Sequence, residues 1–520
     1  MSHRRLWTVA LLAAMLLLAA CGGGTSGGTD TPPAGGTGGS EPSGEEAPSQ
    51  VVVGIDADTR ALDPLTPLDA TTTRILRNVY ESLFFRTTDG ELVPWLAESG
   101  DFSGNQWTIR LRQGITFHSG AELTAEAVKA NLDYILDPDN AAGTQTLIPD
   151  VTGVEVVDTY TLRITTAEPN PDLAAQLTDV LIADPSVFAE AGAEALNENP
   201  VGTGPYRVER WQRDTELVVA AYEGYWQGRP AIDRVIFRVI PDTQARLAAL
   251  LNGEVDLVPG VPPEMIAQIE ADPAVRIEEV PGRQVIYVGM NLMRPGPLSD
   301  RRVRQALNYA VDADLIIDTI LEGHATRNAA GLTAINAAYD PAIEPYRHDP
   351  ERARQLLAEA GYAGGLTLDF HTPQGRYLKD YEAAQELARQ LEAVGIRTNL
   401  QTHEWGTFLE MARSHTITDL YLIGLSDRTF AASQIDYLFH SGRTWVAFED
   451  AEVDAAIERA LAATDAAERS RLLSEASRLV QDYAPWIFLW QQHDIYGVSE
   501  RLQWRARPDQ QLFMFEASVR

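Results

Sequence analysis

Val235-Ile236-Phe237-Arg238-Val239, then Pro241-Asp242, then Leu247, Leu250 and Leu251, is the stretch on which the fold turns. Val235, Phe237 and Val239 alternate as one face of a strand does. Asp242 suits a helix start, where its carboxylate accepts from unpaired backbone N–H groups. Leu247, Leu250 and Leu251 then fall on one helical face, and Gly253 fits the end of that helix. Val255-Asp256-Leu257-Val258 returns as a strand. Strand, helix and strand in this order make a β-α-β unit and predict a parallel pair.

The same grammar recurs far downstream. Asp349-Pro350 opens a helix with Ala353, Leu356, Leu357 and Ala360 on one face, and Gly361 ends it. Leu366, Leu368 and Phe370 alternate as a strand. A helix through Leu387, Ala388 and Leu391 closes near Gly395, and Thr398, Leu400 and Thr402 alternate again. Two separate β-α-β units predict two α/β lobes. The C-terminal third reads as helices over about 450–463 and 466–482, with Asp465 and Glu468 as a capping box. Trp486-Ile487-Phe488-Leu489-Trp490 reads as a buried strand with Trp486 and Trp490 on one face. No internal repeat of fixed period is visible.

The N-terminus speaks to location. His3, Arg4 and Arg5 precede an apolar run through Leu18, too short to span a bilayer as a mature helix, so residues 1–20 read as a signal peptide. The run ends in Leu18-Ala19-Ala20-Cys21, and Cys21 is the chain's single cysteine. Small residues before a cysteine suit lipoprotein processing, which predicts a lipidated Cys21 as the mature N-terminus. Residues 21–50 are then the lipidated cysteine and a disordered tether rich in Gly, Ser, Thr, Pro and Glu, able to span about 30 Å. An exported chain without a second cysteine has no internal disulfide, so core burial must hold it together. The formal charge is −32, and losing Arg4 and Arg5 with the signal leaves it near −34. Such a body repels phosphate backbones and anionic headgroups, which argues against nucleic acid as a partner.

Several segments together resemble the extracellular solute-binding proteins of family 5, the dipeptide, oligopeptide and nickel class. Asp63-Pro64 is followed by Asn78-Val79-Tyr80-Glu81-Ser82-Leu83, then Trp107-Thr108-Ile109-Arg110-Leu111-Arg112 with Gly114 and Phe117. Gly202-Thr203-Gly204-Pro205-Tyr206 and Tyr225-Trp226-Gln227-Gly228-Arg229-Pro230 come next, with Asp233 and Gly253-Glu254-Val255-Asp256. Asp300-Arg301-Arg302-Val303-Arg304-Gln305-Ala306-Leu307 with Tyr309-Ala310-Val311-Asp312 completes the set. The resemblance implies a type II periplasmic-binding-protein fold of cluster C: two hinged α/β lobes plus an inserted lobe. Carried onto this numbering, it gives lobe I as 51–89, 200–282 and 491–520, lobe II as the insertion 90–199, and lobe III as 283–490. It implies a monomeric, extracytoplasmic subunit, held by its lipid on the periplasmic or cell-surface side. That subunit captures peptides or peptide-like solutes for the permease and ATPase subunits of an ABC importer. Relatives that bind oligosaccharides or nickel chelates, and peptide-sensing lipoproteins without transport, set the alternatives. Crossings between lobes are expected near 280–290 and 486–494.

The cleft candidates follow from that geometry. Tyr287, Met290 and Asn291 follow the first crossing, and Trp490, Gln491 and Gln492 border the second. Trp405 follows a strand end, and Asp427 and Arg428 follow the apolar strand Leu420–Ile423. In peptide-binding relatives an acid at the position of Asp427 holds the ligand's amine, and a buried ammonium needs such a partner. Arg428 suits a ligand carboxylate. The loop lacks the family's tryptophan, with Leu425 in its place, which weighs against an ordinary dipeptide.

No enzyme, cofactor or metal site is expected. Gly202-Thr203-Gly204 lacks the third glycine of a dinucleotide loop, since Arg207 stands there. His403-Glu404 lacks the second histidine of a zinc-protease helix, since Thr407 occupies its place. His415, His440 and His493 are scattered without ligand spacing, and Gly202 and Gly204 read as tight-turn residues.

Overall fold

A computed structural model of the chain describes residues 49–66, 70–140, 143–427 and 431–520. The signal, Cys21, nearly all of the tether and Arg428 lie outside the described residues.

One sheet of eleven strands organises the described residues. From one edge its order is Tyr206–Gln212, Glu216–Ala221, Arg234–Val239, Gln50–Ile55, Leu257–Pro259, Trp486–Ser499, Val275–Met290, Leu420–Ser426, Leu366–Pro373 and Ile396–His403. Ala325–Arg327 also pairs with Trp486–Ser499. The sheet therefore reads as two α/β segments joined in the middle by two long antiparallel strands.

Both β-α-β units are present, but they are built differently. In the second, Leu366–Pro373 and Ile396–His403 are direct parallel neighbours, Phe370 opposite Leu400, with helix Asp380–Ala393 between them in the chain. In the first, the strands are not adjacent. Gln50–Ile55 inserts between them, parallel to both, with Val53 opposite Phe237 on one side and Leu257 on the other. A strand from the start of the chain fills the gap, and nothing local to residues 235–258 could have announced it.

Local chemistry fixes the element ends. The Asp242, Asp349 and Asp465 side chains accept from Ala245 N (2.8 Å), Arg352 N (2.9 Å) and Glu468 N (2.9 Å) at their helix starts. Glu468 does not complete the expected box: its carboxylate takes Arg471 at 2.7 Å instead.

Burial separates the halves. One hydrophobic core joins Val51, Val53, Phe237 and Tyr496 to Trp107, Ile109, Leu132 and Ile164. The four-stranded unit of Ala97–Ser103, Gln106–Leu111, Thr161–Thr166 and Val151–Asp158 thus shares its core with the first half. A second core runs from Ile286 through Leu307, Leu387, Phe408 and Ile457 to Trp490. The strands Val275–Met290 and Trp486–Ser499 touch both regions and connect them.

The pairing of these two strands breaks between Pro281 and Val285 and again between Ile286 and Tyr287. Gly282 sits in the first break, where a Cβ would stand 2.3 Å from Asp494 Oδ2, so any larger residue would push the Asp494 carboxylate aside. The second break leaves Leu489 unpaired, with Trp490 opposite Ile286 and Phe488 opposite Tyr287. It also flips the alternation. Trp486 stays on the face of Tyr287, stacked on its ring at 3.5 Å, while Trp490 pairs on the other face. The expectation that both tryptophans share a face fails on this bulge.

Candidate functional site

Four stretches of chain converge beside the first break in the crossing strands. Arg77, Phe85, Arg86, Asp509 and Gln511 come from the first half, Thr178 and Asp179 from its inserted unit, and Arg283 from the first crossing strand. They enclose a cavity of about 10 Å³, room for a single water. Arg77 donates through one terminal nitrogen to the Thr178 carbonyl at 2.6 Å and to Asp179 Oδ1 at 2.5 Å. Arg86 donates to the Gly90 carbonyl at 3.0 Å. Arg283 Nε donates to the Asp427 carbonyl at 2.7 Å, and the Asp427 N–H donates back to the Arg283 carbonyl at 3.0 Å.

Asp427 therefore enters the junction at the end of Leu420–Ser426, which pairs with Val275–Met290 up to Gln284 opposite Ser426. It is 3 % exposed. Its Oδ2 accepts from Asn336 Nδ2 at 2.6 Å and Thr333 Oγ1 at 3.1 Å, both from its own half. From the other half, Arg86 lies within its electrostatic reach. Burial lowers the Arg86 pKa, and the charges of Asp427, Asp179, Asp509 and Asp172 act in the opposite sense. Behind Arg86, the Arg507 guanidinium donates to the Arg86 carbonyl at 2.6 Å and pairs with Asp509 at 2.7 Å.

The candidate residues divide. Gln491 joins Asp427 at the junction: its Nε2 donates to the Gly282 carbonyl at 2.6 Å. Gln492 follows, opposite Ala325, with its Oε1 buried and unpartnered. Tyr287, Met290 and Trp490 are members of the second half's core, each no more than 2 % exposed. Tyr287 keeps a buried hydroxyl without a hydrogen-bond partner, and burial drives its pKa well up. The Asn291 amide is consumed by the His415 carbonyl at 3.0 Å and the Ile417 carbonyl at 2.6 Å, with its oxygen taking Met293 N at 3.1 Å. We assign Met290, Asn291 and Trp490 to packing, because position along a crossing strand fixes the residue but not the face.

Trp405 begins helix Trp405–Arg413 and is half-buried, with the Arg376 guanidinium 4.9 Å from its ring. It sits at the carboxyl end of the second half's parallel strands, where α/β sheets present ligand sites. His403, one strand end away, lies 2.9 Å from His371, and Glu404 caps the helix through Thr407 N at 3.2 Å. Among the described residues no group of three metal-ligating side chains is assembled. Nor is any helix there long and apolar enough to cross a membrane. Gly202 and Gly204 are held by close approach, since a Cβ on either would meet the Val79 carbonyl oxygen at 2.1 Å and 2.7 Å.

Arg77, Arg86 and Arg283 carried no sequence signal. Arg77 precedes the Asn78–Leu83 motif and Arg283 follows Gly282, but only the fold shows that they meet.

The family model for bacterial extracellular solute-binding proteins, family 5, matches residues 91–445. This chain is a member of that family. Among its curated relatives is the glutathione-binding protein GsiB of Pectobacterium atrosepticum, 29 % identical over 487 residues, which cover 90 % of this chain and 94 % of the relative. Among solved structures, HbpA2 from Haemophilus parasuis is 26 % identical and superposes with a TM-score of 0.81 over 91 % of this chain and all of that one. The ABC transporter substrate-binding protein CtaP of Listeria monocytogenes is 24 % identical, with a TM-score of 0.83 over 91 % and 99 % of the two chains, and so shares the fold. The family 5 fold accounts for the pair of crossing strands: two halves linked in this way can swing about the breaks in strand pairing.

Proposed function

We propose that this family 5 protein is the substrate-binding component of an ABC importer, held outside the cell membrane by a lipid on Cys21, and that its cargo is a small peptide of the glutathione type. The observation that carries this reading is the Asp427 carboxylate. It is buried, it accepts from Asn336 and Thr333 of its own half, and its charge acts on Arg86 of the other half. A carboxylate so placed is a ready partner for a ligand ammonium, and the arginines around it suit carboxylates. The glutathione-binding relatives support the peptide class. Ligand that bridges the halves favours the arrangement in which both sets of contacts are made, which gives the transporter a shape to recognise.

Asp427→Ala should weaken binding of a free-amine peptide by one or more orders of magnitude in titration calorimetry, while N-acetylation of the peptide should cost the wild type a similar factor. Wild-type affinity in the variant would dismiss the amine role. For the anchor, Cys21→Ala should move the protein from the membrane fraction to the soluble extracytoplasmic fraction. A variant that stays with the membrane would show that some other feature holds it there.

A further inference from the structure

Glu279, His324 and His493 meet at the crossing strands, away from the residues assigned to the solute. Glu279 lies on Val275–Met290, between Ile277 and Val280, which both pack against cores of the first half. His324 follows Leu321 and precedes Ala325, two members of the second half's core. His493 lies on Trp486–Ser499, opposite Pro281, the last pair before the first break. His324 Nδ1 is 3.0 Å from each Glu279 carboxylate oxygen, and His493 Nδ1 bonds to the Oε1 of the same group. The His324–Glu279 contact therefore joins the two halves at the break about which they swing, while His493 holds the shared carboxylate in place.

A carboxylate only accepts, so both Nδ1 atoms carry hydrogen. In the neutral ring His493 Nε2 then accepts from the Thr326 hydroxyl, 2.7 Å away. A further proton goes to Nε2, on the side of the ring away from Glu279. It leaves every bond in place and turns the Glu279 contact into a charge-assisted one, which is stronger. Burial acts to raise the Glu279 pKa, but the hydrogen bonds and charges of His493 and His324 outweigh it. The carboxyl therefore sits below its ordinary value and is ionised where imidazoles gain their charge. Side-chain exposures of 15–27 % leave the three groups open to solvent protons. Asp494, next to His493, is a second carboxylate within its reach; Gln510 Nε2 donates to both its oxygens at 2.7 Å, and Arg74 and Arg283 also act on it. Other charges on the crossing strands and the elements packed against them are matched locally: Arg276 with Glu278 at 3.1 Å, Asp314 with Arg327 at 3.5 Å and Arg501 with Asp256 at 2.5 Å. Glu270 and Glu322 are exposed.

We propose that His324 and Glu279 form a proton-sensitive clasp between the halves, so that acidification outside the cell favours the arrangement in which the halves are drawn together. That arrangement is the one in which Asp172 and Arg469 also meet, at 2.7 Å. The coupling is reciprocal: a solute that draws the halves together raises the proton affinity of His324 by the same factor by which the proton favours closure. The clasp acts on the hinge and holds for any class of solute.

The test needs no solute. Cys21 is the chain's single cysteine, so the full chain carrying Cys21→Ala accepts two spin labels through Val157→Cys on the inserted unit and Met293→Cys on the second half, both at exposed positions. Pulsed electron resonance then reads the ratio of short to long distances between the halves. Lowering the pH from 8 to 5.5 should raise that ratio by about threefold, the size a partly exposed ion pair sustains. With Glu279→Gln or His324→Gln added, the same change of pH should move the ratio by less than about 1.5-fold. Neither substitution alters the overall charge enough to change general repulsion within so acidic a chain. Thermal melts at both pH values check that each variant folds, and either one that does carries the test. A response that survives in the folded variants would place the titrating group elsewhere, as at Asp494, and would overturn the clasp. So would a ratio that is constant, or that falls on acidification, in the chain with His324 and Glu279 intact.

Discussion

Glu81 and Asp427 are both buried carboxylates, 4 % and 3 % exposed, and they solve the problem of burial in different ways. Glu81 is enclosed by its own half. Trp95 Nε1 donates to it at 2.6 Å, the Tyr225 hydroxyl at 2.8 Å and Trp226 Nε1 at 3.2 Å; Trp95 and Trp226 pack against the first core and Tyr225 is itself buried. No step of lobe movement changes that ring of donors. Asp427 accepts from Asn336 and Thr333 of its own half, and its charge acts on Arg86 of the other half. The difference teaches where to look for function in such a molecule. A buried acid satisfied within one half is architecture, whereas one whose electrostatic partners belong to both halves senses how those halves are arranged.

The comparison makes its largest demand on Glu81. Burial pushes its carboxyl up to about 7 from an ordinary value of 4.5, despite the donors that favour the charged form. Between those pH values the folded chain keeps a proton that the unfolded chain has released. Stability from this group is therefore fully present below the unfolded pKa and is lost as pH rises through about 7. A shift of that size corresponds to about 3 kcal/mol. Glu81→Gln cannot ionise, so denaturation at pH 4.5 and pH 8 should show the variant gaining on wild type by that amount at the higher pH. Parallel stability curves would mean that the ring of donors, and not desolvation, governs the group. Peptide affinity of Glu81→Gln should stay within about twofold of wild type, in contrast with Asp427→Ala, if the division between architecture and site is correct.

The same contrast explains what could be read in advance. Alternation at Val235–Val239 and Leu366–Phe370, with aspartates before and glycines after the helices, made both β-α-β units visible, because strand and helix periods are local properties. The insertion of Gln50–Ile55 between the strands of the first unit was not visible, since it depends on pairing across nearly two hundred residues, Gln50 with Arg234. At the site, Asp427 stood out because it follows an apolar strand at the position where the family resemblance implies a ligand-binding acid. Trp490 and Met290 were drawn from the crossing strands and lie buried in the second half's core, Trp490 next to a bulge at Leu489 that a single sequence does not mark. Arg77, Arg86 and Arg283 are ordinary surface-type residues in sequence, and their meaning comes only from being brought together.

Asp172 sharpens the comparison at its smallest scale, because its partners lie wholly in the other half. The inserted unit places its Oδ2 at 2.7 Å from Arg469 and at 3.0 Å from Ser433 N, with both side chains of the ion pair only 11 % exposed. Arg469 also donates to the Leu461 carbonyl at 2.6 Å, so replacing it would disturb its own half. Asp172→Asn is cleaner: the amide oxygen can still accept from Ser433 N while the charge is gone. A pair that exists only when the halves touch contributes to their arrangement and not to the fold of either. The loss should be about 1 kcal/mol, since separation returns both groups to water and leaves neither charge buried alone. Solution scattering of the ligand-free variant should show a larger radius of gyration than wild type with an unchanged melting temperature. A lowered melting temperature at constant radius would instead make Asp172 a residue like Glu81, and would erase the distinction between acids that hold one half together and acids that join two.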